Sequence, residues 1–226
     1  MQSWALKAAE LFNLSIFPST EDAAVTNISF CKAFGETFPK SDPCQYLPPH
    51  TDTVFYTNTP TDDVTPEIVF IGNDFQDRFP NGNERRKMVQ ALQSRYGDRF
   101  GVYGYGWDGT RPVSSKQERM LYSNAKIAIN HNHVHAPGYT SDRMMRAMSC
   151  GATMLTSSIE NGIPGLVSGH DYFEWSTVDE LIDKIDMLLG DEVLCSLVAA
   201  NGRRSVSAEY SWDRFVEKVI EMSELY

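Results

Sequence analysis

The chain has 226 residues, of which 42% are hydrophobic and 22% are charged, a composition that is ordinary for a soluble globular protein with a core of normal size. Its net charge of −10 and its pI of about 4.9 argue against broad electrostatic binding to nucleic acid. No apolar run approaches the roughly 20 residues that a membrane-spanning helix needs, so we expect no membrane segment.

The first 66 residues indicate the end of one α/β domain followed by a linker. Their patterns predict a helix over residues 3–12, a strand over 14–17, a helix over 20–35 and a strand over 45–47. Prolines interrupt the stretch after residue 38, so residues 1–50 are typical of a partial N-terminal α/β segment, the remnant of a Rossmann-like domain. Residues 51–66, rich in Thr, Asp and Pro, are the predicted linker.

From residue 67 to residue 226, strands and helices alternate regularly, which is typical of a parallel sheet with helices on both faces. The predicted strands cover residues 68–71, 100–103, 126–130 and 152–156, and the predicted helices cover 83–96, 115–123, 142–150, 177–190, 192–209 and 211 to the C-terminus. The first of these strands is continuously apolar, as burial on both faces requires. We therefore predict an α/β fold with a Rossmann-like domain over residues 67–226, in which a Gly-rich connection follows residue 157.

The stretch from residue 124 to residue 157 is predicted to be a strand–loop–helix–strand unit. Its polar loop lies at the carboxyl end of a parallel strand, where open α/β sheets bind ligands. Ser141 is a good N-cap and Gly151 a good C-terminal stop for the helix between them. The free N–H groups and positive dipole end of such a helix suit a phosphate, and Arg143 in its first turn adds a guanidinium. The unit therefore predicts a pyrophosphate site.

Two further loops follow strands of the predicted sheet. Gly72 and Asn73 come directly after the strand over residues 68–71, where a glycine permits close approach of a ligand but also simply ends a strand. Trp107, in the loop after the next strand, either stacks on a base or sugar or covers an edge of the core. The nearby Gly104-Tyr-Gly lacks the full GxGxxG spacing, so a nicotinamide-type dinucleotide site is disfavoured.

His131, His133 and His135 alternate, so an extended backbone places all three side chains on one side. Three imidazoles on one side are a possible zinc arrangement, but no carboxylate or cysteine lies among them and a Pro-Gly pair follows at once. Contact with a sugar or phosphate is the better interpretation, with one histidine as a general base. We assign catalytic roles to His131, His135 and Arg143 and predict no bound metal. The absence of a GxSxG elbow and of a Walker A motif disfavours serine hydrolases and P-loop enzymes.

The cysteine positions and the N-terminal residues indicate the cellular compartment of the protein. They stand at positions 31, 44, 150 and 195, without CxxC spacing, which indicates free thiols in a reducing environment. The N-terminal residues carry one early lysine and no small-residue cleavage site, so they are not typical of a secretory signal. We expect a cytoplasmic protein.

Several short stretches occur in a recognisable order along the chain. They are Tyr46-Leu-Pro, Glu67-Ile-Val-Phe-Ile-Gly, Val102-Tyr-Gly-Tyr-Gly-Trp, Tyr122-Ser-Asn-Ala-Lys-Ile-Ala-Ile-Asn, Gly138-Tyr-Thr-Ser-Asp-Arg, Ala147-Met-Ser-Cys-Gly, Val178-Asp-Glu-Leu-Ile and Tyr210-Ser-Trp-Asp-Arg-Phe. In this order they resemble the nucleotide-sugar-binding half of GT-B glycosyltransferases. Within the group 1 families, the chain looks most similar to the CgeB-like (spore-maturation-protein-like) group. The resemblance covers most of residues 44–226.

The resemblance implies a donor site for a nucleotide diphosphate-sugar, linked to UDP or GDP, on the C-terminal domain of a GT-B fold. It puts Gly72 and Asn73 near the sugar or phosphates, and Val113 and Ser114 against the base. The remaining residues of the implied donor site are Trp107, Asn130, His131, Gly138, Tyr139, Ser141, Arg143 and Arg146. Such a site needs no bound metal, because the helix dipole and basic side chains stabilise the departing diphosphate.

Two features depart from the resembled group. That group has a glutamate in its central helix, four residues before the Cys of the Ala-Cys-Gly-like turn, that bonds the donor ribose, whereas this chain has Arg146 there. Arginine has no acceptor for a ribose hydroxyl, so either the nucleotide sits differently or donor binding is weakened. A complete GT-B enzyme also has two Rossmann-like domains, and this sequence indicates one domain and the last piece of another. We therefore expect a fragment, a minimal enzyme completed by a partner, or a relic that only binds.

Three functional hypotheses follow. The leading one is a retaining-type GT-B glycosyltransferase, or its donor-binding domain, that transfers a sugar to an unidentified acceptor. The alternative is a non-catalytic nucleotide-sugar-binding or interaction module. The third is a zinc hydrolase built on the three histidines. In the leading hypothesis a partner chain or a missing N-terminal domain supplies the acceptor side, and the acidity of the chain disfavours nucleic acid as the acceptor.

Overall fold

A computed structural model describes residues 15–17, 44–74, 81–110, 112–132 and 138–223. Its strands are β1 (Ser15–Phe17), β2 (Cys44–Tyr46), β3 (Ile68–Ile71), β4 (Phe100–Tyr103), β5 (Ile127–Asn130), β6 (Thr153–Ser157) and β7 (Phe173–Trp175). Its helices are α1 (Gly82–Tyr96), α2 (Ser115–Asn124), α3 (Asp142–Cys150), α4 (Val178–Gly190), α5 (Glu192–Glu209) and α6 (Trp212–Ser223). The helices predicted over 3–12 and 20–35 lie outside the described residues.

The strands form two parallel sheets. β1 and β2 pair with each other, and the larger sheet has the order β4-β3-β5-β6-β7 with every pairing parallel. From β3 the chain moves outward to β4 and then returns past β3 to form β5, so the strand order reverses between β3 and β5. Open α/β sheets bind ligands at the carboxyl ends of the strands at such a reversal. The predicted Rossmann-like α/β fold is confirmed.

Helices cover both faces of the five-stranded sheet. Val69, Ala128 and Met154 point to one face, where they pack in a cluster with side chains of α2, α3 and α5. Neighbours of these residues along the strands point to the other face, against α1 and α4. Burial on both sides explains why β3 is apolar at every position. No helix in the described ranges has both the length and the apolar character needed to cross a membrane.

One strand differs from the prediction. Residues 159–173 were expected to be a Gly-rich connection, but β7 begins at Phe173 and pairs with β6 through Leu155↔Phe173 and Thr156↔Glu174. A three-residue strand at the edge of the sheet is too short to display a hydrophobic period. The segment over residues 51–66, the predicted linker, contains no helix or named strand, and the division of the chain into domains stays a prediction.

Gly151 ends α3 in the left-handed conformation, at φ 90° and ψ 16°. A Cβ atom added there would lie 2.7 Å from Asn58 Nδ2. We expect Gly151→Ala to lower the free energy of unfolding by about 1–2 kcal/mol, because both the backbone conformation and this contact disfavour a side chain. Urea unfolding followed by circular dichroism measures the change.

Gly190 supplies the matched control, since it closes α4 without a positive φ and an added Cβ would meet nothing within 4 Å. Gly190→Ala should be neutral or slightly stabilising. Equal stabilities for the two variants would contradict the strain that we assign to Gly151.

Candidate functional site

The crevice between the carboxyl ends of β3 and β5 is bridged by a buried arginine. Arg85, on the first turn of α1, is 1% exposed. One terminal nitrogen of its guanidinium donates to the carbonyl of Asn73 at 2.8 Å, and the other donates to the carbonyl of His131. These carbonyls belong to the loops that follow β3 and β5, so one side chain fixes both walls of the crevice.

Arg85 is charged at neutral pH. Burial and the nearby charge of Arg143 lower the pKa of its guanidinium to about 9, which is still above physiological pH. Arg85 is not among the site residues predicted from the sequence, although a signal for it is present. The apolar stripe formed by Met88, Leu92 and Tyr96 extends backwards by one turn to position 85, which marks Arg85 as facing the sheet.

A network of buried amides and hydroxyls shapes the loop before α3. The side-chain amide of Asn130 donates to Thr156 Oγ1 at 3.0 Å, and its oxygen accepts from Ser141 Oγ at 2.8 Å. The amide of Asn132 donates to the carbonyl of Tyr139 and its oxygen accepts from the backbone N–H of Ser141. Ser141 occupies the N-cap position as predicted. Because its hydroxyl donates to Asn130 instead, it makes no capping bond to the helix.

The first turn of α3 is open to a ligand. The backbone N–H groups of Asp142 and Arg143 meet no hydrogen-bond acceptor among the described residues. Arg143 is partly buried, and its guanidinium makes no hydrogen bond or ion pair with any described residue. It lies close enough to Arg85 and Tyr139 to affect the pKa of both groups. Two guanidiniums and free helix N–H groups at one edge of the sheet are an arrangement that can bind an anion.

Arg146, one turn further along α3, belongs to a separate polar cluster. Its guanidinium donates to Glu118 Oε2 at 3.3 Å and to Asp142 Oδ2 at 2.5 Å, and it lies over the ring of Tyr56 at 5.2 Å. The hydroxyl of Tyr56 donates to the same oxygen of Glu118 at 2.8 Å. Burial and this bond raise the pKa of Tyr56 to about 12, so it stays protonated. The cluster joins α2, α3 and the segment over residues 51–66.

Four of the predicted donor residues make structural contacts away from α3. The N–H of Gly72 donates to the carbonyl at the end of β4, and its own carbonyl accepts from the indole of Trp107 at 2.6 Å. The ring of Trp107 packs against the edge of the core. Ser114 caps α2 in a reciprocal pair with Gln117, and Val113 packs on the core beside it. Ligand contacts by these residues stay predictions.

His131 is the one described member of the three alternating histidines. It is 1% exposed, and its ring centroid lies 5.5 Å from that of Trp175. Together with Ser157 and Glu160, His131 lines a cleft of about 490 Å³. The backbone carbonyl of Glu160 accepts a hydrogen bond from the N–H of Gly138. The other two histidines, at positions 133 and 135, lie outside the described residues. The described residues contain no group of three potential metal ligands, and the zinc hypothesis stays untested.

The sequence profile of a family described as "Glycosyl transferase-like" matches residues 84–221. The chain belongs to this glycosyltransferase family. The match includes α1 with Arg85 and the whole of α3. No curated protein sequence matches the chain.

Solved structures show the same fold. Sucrose-phosphate synthase from Thermosynechococcus elongatus is 14% identical with a TM-score of 0.59, and the likeness covers 99% of this chain and 62% of the synthase. Anabaena HepE, crystallised with UDP and glucose, is 11% identical with a TM-score of 0.65 over 98% of this chain and 66% of HepE. The C-terminal domain of the group 1 glycosyltransferase LpcC from Francisella tularensis is 14% identical with a TM-score of 0.54, over 72% of this chain and 99% of that domain.

These likenesses identify the fold of this chain as GT-B. At identities of 11–14%, they establish the fold alone. The chain spans less than two thirds of the length of the synthase and of HepE.

Proposed function

We propose that this chain binds a nucleotide diphosphate-sugar at the start of α3 and forms the donor-binding part of a glycosyltransferase. The observation that carries the proposal is Arg143, a partly buried guanidinium without a described partner beside the open first turn of α3. Membership of a glycosyltransferase family supports the donor class. The structure of HepE with UDP and glucose supports a UDP-linked sugar, with a GDP-linked sugar as the other donor to test.

Charge explains why a diphosphate suits this position. Arg85 and Arg143 repel each other, since the charge of Arg143 lowers the pKa of Arg85. An anion between them relieves that repulsion and accepts hydrogen bonds from the N–H groups of the helix. When the glycosidic bond breaks, the same donors stabilise the charge that develops on the departing diphosphate, so the reaction as proposed needs no metal ion.

Several finer assignments belong to this proposal. His131 and His135 contact the donor sugar or act as a general base, and Gly138, Tyr139 and Ser141 form the loop around the pyrophosphate. The motif order supports placement in the CgeB-like group and a retaining reaction. The acceptor domain comes from a partner chain or from a further domain, residues 1–50 being the remnant of such a domain, and the reaction takes place in the cytoplasm.

Arg143→Ala tests the phosphate contact. We expect it to weaken binding of UDP, GDP or their sugars by about 1.5–3 kcal/mol, which is roughly 10-fold to 150-fold in Kd, because the variant loses a charge-assisted hydrogen bond. Isothermal titration calorimetry with the four ligands measures the change. Arg204→Ala is the matched control, since Arg204 is exposed on α5 and its replacement should leave the affinity unchanged.

If no ligand of this class gives a heat or shifts the melting temperature of the wild-type protein, the proposed function is wrong. If a ligand binds with equal affinity to wild type and Arg143→Ala, the guanidinium lies outside the site.

A second candidate function is nucleotide-sugar binding without transfer. Arg146 favours binding without transfer. It stands at the position from which a glutamate bonds the ribose in the resembled group, and its guanidinium is instead bonded to Glu118 and Asp142. This function predicts binding by calorimetry but no hydrolysis or transfer of a radiolabelled sugar. Turnover by the purified chain contradicts it.

A further inference from the structure

The cleft of about 490 Å³ that His131 lines opens at the carboxyl ends of β5, β6 and β7. Its walls contain Trp175, which ends β7, and Ser157, which ends β6, while His131 directly follows β5. We name it the Trp175 cleft. Its volume is within the range of about 300–1,000 Å³ that small-molecule sites occupy.

The Trp175 cleft and the start of α3 share one edge of the sheet but lie towards opposite faces. Glu84 of α1 and Ser176, just before α4, line the cleft. Helices α1 and α4 pack on the face of the sheet opposite to α3. His131 belongs to the connection between β5 and α3, so it links the two places. A diphosphate at α3 and a second molecule in the cleft are therefore neighbours along this edge.

Trp175 provides the cleft with a hydrogen-bond donor that has no partner. The residue is 5% exposed, and its indole N–H meets no acceptor in the described part of the chain. Buried polar groups without partners are rare and carry a free-energy penalty. Because the indole nitrogen only donates, an oxygen atom of a bound ligand removes the penalty. The Ser157 hydroxyl accepts from the N–H of Asn132 at 3.3 Å, which leaves its own proton for a ligand.

The charged side chains of the Trp175 cleft are carboxylates. Glu84 and Glu160 line it, and there is no lysine or arginine among its described lining residues. Glu160 is exposed, so its carboxylate is accessible to a ligand. Carboxylates repel phosphates and other acids, and they accept hydrogen bonds from hydroxyl and ammonium groups. The charge preference of the cleft is therefore opposite to that of the two guanidiniums near α3.

We infer that the Trp175 cleft binds the acceptor, and that this acceptor is a carbohydrate without acidic groups, either neutral or carrying an amine. The inference rests on the proposed function, because only sugar transfer requires an acceptor. A sugar ring carries hydroxyls that both donate and accept, so it can accept from Trp175 and Ser157 and donate to Glu160. An apolar wall with a few placed polar groups is typical of sites for such small molecules.

Ligand-observed NMR titration with defined sugars tests the inference. The protein is first saturated with whichever of UDP and GDP binds it. The probes are the methyl glycosides of glucose, galactose, mannose and glucosamine, and the acidic probes are glucuronate, galacturonate and mannose 6-phosphate. We expect at least one of the non-acidic sugars to bind, and its acidic counterpart to have a Kd about tenfold higher because of repulsion by the two carboxylates. An acidic probe that binds as tightly as its counterpart overturns the inference.

Glu160→Gln removes one negative charge while the size of the side chain is kept. We expect this variant to lose most of the discrimination against the acidic probes. Glu192→Gln is the matched control, since its side chain is 81% exposed at the start of α5 and does not line the cleft. It should discriminate as the wild type does. Undiminished discrimination in Glu160→Gln overturns the selectivity that we infer.

Trp175→Phe keeps an aromatic ring and removes the N–H donor. We expect it to weaken sugar binding several-fold while the affinity for UDP or GDP is unchanged, which also shows that the variant is folded. Trp212→Phe, on α6 with 51% exposure, should change neither affinity. Equal sugar affinities of wild type and Trp175→Phe contradict the assignment of this indole to the ligand.

Three outcomes separate this inference from the proposed function. If the nucleotide binds but none of the sugars does, the acceptor site is wrong and the diphosphate site stands. If the nucleotide-sugar displaces the bound probe and the nucleotide alone does not, the cleft holds the sugar ring of the donor, which overturns the acceptor assignment. If neither UDP nor GDP binds, the proposed function fails and the acceptor role fails with it, even where a sugar binds in the cleft.

Discussion

Replacing Arg146 with glutamate, the residue of the resembled group, should destabilise this protein and should not improve nucleotide binding. We expect Arg146→Glu to lower the free energy of unfolding by about 3 kcal/mol, near the lower end of the effects seen when a buried ion pair is broken. The guanidinium lies between the carboxylates of Glu118 and Asp142, and the side chain of Glu118 is only 8% exposed. A carboxylate at position 146 adds a third negative charge to that cluster. Because the side chain of Arg146 is 30% exposed, we expect the loss of stability to be at the lower end of that range.

Urea unfolding with linear extrapolation measures the loss. Arg95→Glu is the surface control, because it also reverses a charge beside a carboxylate, that of Asp186, and the side chain of Arg95 is 57% exposed; it should cost less than about 1 kcal/mol. Adding Glu118→Gln to Arg146→Glu should recover part of the stability. If the stability of Arg146→Glu matches that of wild type, the cluster does not join α2 and α3 as we describe.

Arg85→Met should lower the free energy of unfolding almost as much as Arg146→Glu, and it should also lower the affinity for the nucleotide. The carbonyls of Asn73 and His131 lose the donors that Arg85 provides, and each buried carbonyl without a partner costs about 1–3 kcal/mol. Removal of a buried cation offsets part of the cost, so we expect a loss of about 2–4 kcal/mol. Nucleotide affinity should fall too, since the loops after β3 and β5 are no longer held together and one positive charge is gone.

Thermal and urea unfolding, together with calorimetric titration, test this expectation. Arg85→Lys keeps the charge without the forked geometry and should fall between wild type and Arg85→Met in both measurements. Arg95→Met, on the same helix but 57% exposed and paired with Asp186, should change the stability by less than about 1 kcal/mol. If Arg85→Met lowers affinity without lowering stability, the residue contacts the ligand instead of holding the loops.

The elements that sequence analysis predicted well are those in which several local signals agree. The strand over residues 68–71 is apolar throughout because both of its faces are buried, and the helix Asp142–Cys150 has Ser141 before it and a left-handed Gly151 after it. β7 gives no such signal, because a short edge strand depends on its pairing with β6 and that partner is distant in sequence.

The candidate site was less predictable, because side-chain partners depend on tertiary packing. The position of Arg143 in the first turn of a helix agrees with the sequence pattern, and its contact with a ligand stays a prediction. The partners of Arg146 and the bridge made by Arg85 were not found, since Glu118 and Asn73 come from other segments of the chain. The diversion of the Ser141 hydroxyl to Asn130 likewise depends on the contact between the end of β5 and the N-cap of α3. Local patterns locate the helix terminus, and the fold decides which groups remain available there.

The bridge from Arg85 to Asn73 and His131 bears on the thermodynamics of ligand capture. Bonds inside the protein already immobilise both walls of the crevice before any nucleotide arrives. Association therefore loses little conformational entropy in these two loops, and more of the interaction energy appears as affinity. A preorganised crevice of this kind can hold a ligand tightly with few direct contacts.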